Sequence, residues 1–136
     1  MSYFINPVEA DRCVFLSYEG ETPVVEFSTA RSEANGVLDE RHWNRLLVDV
    51  SRLQSAPKAR ELFDLAKGLS LSVSRPTRVA LVVRPEHEPH ARLLQKAART
   101  RRVFLAYFLA PERAVSWMRQ TALGRQAIGR KGKEKP

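Results

Sequence analysis

Three short stretches of the chain carry almost nothing but apolar residues: 46–50 (LLVDV), 78–83 (RVALVV) and 103–108 (VFLAYF). Each is short for a buried helix and rich in β-branched or aromatic residues, so each predicts a strand covered on both faces. The segments between them have helical spacing. From Pro57 onward, Ala59, Leu62, Phe63, Ala66 and Leu69 form one apolar stripe, with Lys58, Arg60, Glu61, Asp64 and Lys67 off it. Arg75-Pro76 breaks that pattern. From about Glu88 to Arg101, Leu94, Ala97 and Ala98 turn inward and the Arg/Lys set outward. Pro111 opens a last helix packed through Ala114, Val115, Trp117, Met118 and Ala122, with Gly124 weakening or ending it. Strands that alternate with helices need crossover connections, which imply a largely parallel sheet with helices laid against it.

The start of the chain reads differently. Residues 3–5 form a short apolar segment closed by Asn6-Pro7, and residues 12–18 (RCVFLSY) form a β-rich run ending at the turn signal Glu19-Gly20-Glu21. The two predict a hairpin-like pair, antiparallel at one side of the sheet. Thr22-Pro23 supplies an N-cap and a first helical position, and Val24, Phe27, Ala30 or Arg31, and Ala34 follow at helical spacing. Asn35-Gly36 supplies a stop, which leaves residues 37–43 irregular, and residues 51–56 form a loop. The expected class is α/β: a mixed, largely parallel sheet of about five strands with about four helices. At 136 residues this makes one domain, over 1–124, followed by a basic, disordered tail over 125–136.

A single cysteine, Cys13, excludes a disulfide framework within the chain and a four-cysteine zinc site. With no apolar run near the roughly 18 residues of a membrane helix and no basic-then-apolar leader, a cytoplasmic protein is expected. The formal net charge is +8, unevenly spread. Residues 1–50 hold nine acids against four bases, and residues 51–136 hold six acids against nineteen bases. The bases concentrate in Arg92, Lys96, Arg99, Arg101 and Arg102, and in the tail at Arg130, Lys131 and Lys133. Such a patch reads either as a solvated face with a solubilising tail or as an attractor of phosphate and acidic partners. The acidic front and basic back also permit self-association.

The element order, with LLVDVSRL leading to a helix, then RVALVV, then VFLAYFLAPERAVSWM, resembles the STAS fold over about residues 2–120. More closely, it is similar to the short stand-alone proteins related to sporulation anti-sigma-factor antagonists. The shared features are a strand ending in an Asp before a loop and helix, here residues 46–53, and an acidic residue followed by an Ala-x-x-Trp-apolar pattern, here residues 112–118 (ERAVSWM). The resemblance implies a regulatory domain without enzymatic activity. Regulatory members carry an Asp-Ser-Ser-Gly-like segment whose Ser is phosphorylated. This chain has QSAPK at residues 54–58, where Ser55 and nearby Ser51 are the only hydroxyls. Ser55 reads as a helix cap or as a phosphate acceptor beside Lys58.

Other residues invite chemical readings. Residues 84–90 (RPEHEPH) hold metal-ligand types, but Pro89 interrupts them and His42 alone offers a distant third ligand, so they read as a polar loop entering a helix. No metal or cofactor is expected. Asp49 lies inside an apolar strand and needs partners, either loop backbone or an arginine such as Arg78. Cys13 reads as a small core residue, and Phe104, Tyr107 and Phe108 as core rather than base-stacking platforms. Trp117 with Met118 reads as packing against the sheet or as an apolar patch for a partner. The leading expectation is protein–protein docking through Asp49, Ser51, Ser55 and Lys58, with an unidentified protein or a second copy as partner. The alternatives are an anionic-surface binder, of nucleic acid or membrane, and a small-ligand or lipid carrier with a pocket among the second and third helices and the sheet. The loops at 51–56 and 84–90, beyond the carboxyl ends of strands, are where a small ligand is expected.

Overall fold

The computed structural model describes residues 3–21, 24–54, 78–100 and 104–120, with the backbone alone at Val24 and Val25. Strands β1 (Tyr3–Val8), β2 (Cys13–Gly20), β3 (Arg45–Leu53), β4 (Arg78–Val82) and β5 (Phe104–Phe108) form one sheet in the order β1-β2-β3-β4-β5. The first pair is antiparallel, with Tyr3 opposite Tyr18 and Val8 opposite Cys13. The other three pairs are parallel, with Ser17, Asp49, Val82 and Phe108 side by side across the sheet. This is the expected α/β class with a five-stranded, mostly parallel sheet. The described helices are α1 (Val24–Arg41), α2 (Glu88–Thr100) and α3 (Pro111–Met118). The helix expected from Pro57 and the tail at 125–136 lie outside the described residues. None of the described helices is long and apolar enough to cross a membrane.

Alternation along the strands divides the core between two faces. One face buries Val14, Leu16, Leu46, Val48, Val79, Leu81 and Leu105 against Ala30, Ala34 and Leu38 of α1 and Ala91, Leu94 and Ala98 of α2. The other buries Cys13, Leu47, Ala80, Val82, Ala106 and Phe108 with Ala114, Trp117 and Met118 of α3. The central strands are therefore apolar on both faces, as their sequences require. Placing α1 and α2 together follows from topology. Each new parallel strand is added on the same side of the last, so crossovers of one hand put their helices on one face.

Three expectations are corrected. The first segment does not close at Asn6-Pro7: β1 runs through both to Val8. Proline is tolerated there because β1 is an edge strand and needs no ladder donor on its open side. Likewise, β3 runs past residue 51 to Leu53, so Ser51 is in the strand rather than in a loop. The largest difference is α1, which passes through Asn35-Gly36 and includes most of the stretch expected to be irregular. Ala30, Ala34 and Leu38, all fully buried at i, i+4, i+8, hold that stripe against the sheet beyond the glycine. The real stop is six residues later. His42 takes a left-handed φ of 58°, Trp43 N–H donates to the Leu38 carbonyl (3.0 Å) and His42 N–H donates to that of Asp39 (3.3 Å). That is a Schellman motif with histidine in the usual glycine place, sealed by Leu38 and Trp43 in the same core cluster.

Both edges of the sheet are blunted. Pro7 removes a backbone donor from β1, and Gln95 of α2 donates its side-chain amide to the Leu105 carbonyl of β5 (3.1 Å).

Candidate docking rim at the carboxyl ends of the strands

The chain leaves β2, β3, β4 and β5 along one rim, and hydrogen bonds tie these exits together. Gly20 ends β2 at a φ of +62°, a conformation that favours glycine, and its carbonyl accepts from Gln54 N–H (2.9 Å). Arg84, just past β4, donates from its guanidinium to the Leu53 carbonyl at the end of β3 (2.8 Å). Its Nε lies 3.6 Å from Glu86. Val83 N–H donates to the Phe108 carbonyl (3.0 Å), joining the exits of β4 and β5. Arg52, exposed on the rim, pairs with Glu19 across β2 and β3 (3.2 Å).

Asp49 and Ser51 sit half-buried just inside this rim, on the α3 side of the sheet. Asp49 Oδ1 accepts from the Ser51 amide (2.9 Å) and hydroxyl (2.6 Å). Of the two expected partner types, Asp49 thus takes backbone, from its own strand two residues on. Arg78 is too far along the sheet to reach it: Arg78 aligns with Arg45, four residues before Asp49. Instead, Arg78 is 6% exposed and packs over the Trp117 ring (4.6 Å to the centroid) with Phe104 on its flank (5.9 Å). It donates to the Trp117 carbonyl (2.9 Å), where a cation meets the negative end of α3. The Asp49 contact also bears on phosphorylation. A phosphate on Ser51 would stand directly against that carboxylate, a repulsive arrangement. Ser55 and Lys58 lie outside the described residues.

At the β5 end of the rim the side chains form a network that the sequence marks only in part. Tyr107 donates its hydroxyl to Glu88 (2.9 Å) and accepts from Arg92 Nε (3.2 Å), and Arg92 also faces Glu88 (3.7 Å). The i, i+4 spacing of Glu88 and Arg92 was the only available signal. Of the basic residues, Arg92, Lys96 and Arg99 are exposed along α2. Arg101, Arg102, Arg130, Lys131 and Lys133 are outside the described residues.

The RPEHEPH segment forms a tight turn (Pro85–His87) leading into α2. Among the described residues no three His, Cys, Asp or Glu side chains converge in a way that could hold a metal ion. His42 belongs to the end of α1. Cys13 is fully buried in the core cluster on the α3 side of the sheet, and burial, with Asp11 nearby, pushes its thiol up to about 12. A thiol so far from ionising is a poor nucleophile at neutral pH. Trp117 (7% exposed) and Met118 are packed against the sheet, so they offer no apolar patch.

The chain matches no family model, no curated protein and no solved structure.

Proposed function

We propose that this chain is a STAS-like regulatory or scaffold domain, without enzymatic activity, that docks a protein partner on the carboxyl rim of its sheet. The observation that carries the reading is the cross-tying of that rim: Gly20 to Gln54, Leu53 to Arg84, and Val83 to Phe108. A surface held by bonds between separate strand exits is ordered before a partner arrives, so little entropy is lost on docking. The five-stranded, mostly parallel sheet with its antiparallel first pair is the architecture that the resemblance implies. In this account Arg52 and Gln54 present the exposed edge and Asp49 and Ser51 shape the strand beneath it; Ser55 and Lys58 are proposed for the same surface from the sequence alone.

A photoreactive residue placed at Arg52, with a control at exposed Ser116 on α3, tests the reading in native cells. One protein should be captured at position 52 and not at 116. Arg84→Ala, which removes the bond to Leu53 and loosens the rim by roughly 1.5–3 kcal/mol, should reduce that capture while the domain stays folded by circular dichroism. Equal capture at both positions, no capture, or capture indifferent to Arg84 refutes it.

A further inference from the structure

Two helix flanks lie at opposite ends of the same sheet and carry opposite charge. On α1, Glu26, Glu33 and Glu40 recur every seven residues and so form one line down the helix. That line faces the β1 end, because Glu33 accepts from the hydroxyl of Tyr3 in β1 (3.1 Å). Glu33 and Glu40 are exposed. On α2, Arg92, Lys96 and Arg99 share one exposed ridge, placed at the β5 end by the Arg92 bond to Tyr107. The one acid on α2, Glu88, is already engaged by Tyr107 and Arg92.

The spacings match. Glu33 and Glu40 are seven residues apart, as are Arg92 and Arg99, about 10.5 Å at helical rise. Both helices return antiparallel to the same set of parallel strands, so they run in the same direction on the same face. β1 and β5 are separated by four strand spacings, about 19 Å, so the two flanks cannot meet within one molecule. A neighbour shifted sideways brings the basic flank of one copy against the acidic flank of the next, Arg92 towards Glu33 and Arg99 towards Glu40.

We propose that the chain self-associates head to tail, with the α2 ridge of one copy docking on the glutamate line of α1 in a second copy. The contact joins two different surfaces on copies related by a sideways shift without rotation, so it does not close and builds open rows rather than a dimer. Pro7 and Gln95 obstruct the strand edges, so helix flanks and not backbone pairing make the contact. This inference does not rest on the docking rim, and Arg84→Ala should leave it unchanged.

Sedimentation of nuclease-treated full-length protein tests it. At about 20 mM salt the weight-average mass should climb past twice the monomer and keep rising with concentration, and at about 0.5 M salt it should return to monomer, because these charges are exposed and screened. Lys96→Glu with Arg99→Glu should be monomeric, and so should Glu33→Lys with Glu40→Lys. A 1:1 mixture of the two should associate again, since one then offers acidic and the other basic flanks at both ends, and that recovery also shows both are folded. Monomer under all conditions, a mass that stops at dimer, association that disappears with nuclease treatment, or a mixture that stays monomeric overturns the proposal.

Discussion

Gly36 sits inside α1 on its open side, where an added Cβ would meet nothing within 4 Å. Gly36→Ala therefore gains helix propensity and loses no packing. The intrinsic difference between glycine and alanine in a helix interior is about 0.8–1 kcal/mol. Unfolding entropy of roughly 2.1 cal/mol/K per residue over a chain of this length gives about 0.29 kcal/mol/K, so the melting temperature should rise by about 3 °C. With a urea m-value of about 2 kcal/mol/M, the midpoint should move up by about 0.4–0.5 M. Gly20→Ala is the matched control. It too has open space, but its φ of +62° should make alanine cost about 1–2 kcal/mol. The same chemical change thus has opposite signs at the two sites, read by thermal and urea denaturation. If Asn35-Gly36 were a helix stop, Gly36 would hold a left-handed conformation and its substitution would destabilise. A melting temperature lowered by Gly36→Ala refutes the continuous helix.

Other outcomes follow from the core. Leu94→Ala, at a fully buried position between α2 and the sheet, should cost about 2–5 kcal/mol by chemical denaturation; a loss below 1 kcal/mol would mean that α2 is not seated as described. Cys13 should be inert to thiol reagents in the native state and reactive once unfolded. Its folded pKa lies at about 12 against an ordinary 9.0, so the native state holds the proton longer and stability falls as pH rises above 9. The stability difference between the native protein and Cys13→Ala should fall by about 1.4 kcal/mol per pH unit between pH 9 and 12; a difference independent of pH in that range contradicts the buried thiol.

The apolar strands were legible because most of their burial is written locally. RVALVV is buried throughout, and residues 105–108 of the edge strand β5 are buried too. Phe104, expected in the core, is 40% exposed and lies edge-on against Trp117, because among the described strands β5 has no further strand beside it. α2 was legible for the same reason, since Leu94 and Ala98 share one stripe. α1 was half-read because Asn35-Gly36 is a strong local stop signal, and only contact with the sheet at Leu38 reveals that packing prevails. The rim was least legible. Arg84 bonds the carbonyl of Leu53 and Gln54 bonds that of Gly20, and backbone acceptors look alike in any sequence. Asp49 could be marked as needing a partner, but its choice of Ser51 over Arg78 depends on strand register.

The strand order has a consequence for how the molecule comes into being. Since spatial order equals chain order, each strand emerging during synthesis finds its sole earlier neighbour already made. Among the described strands no place is held open for a late arrival, and none must be threaded between two finished ones. The domain can thus be laid down from its amino end like courses of brick, and a nascent chain halted after β3 already owns a three-stranded platform.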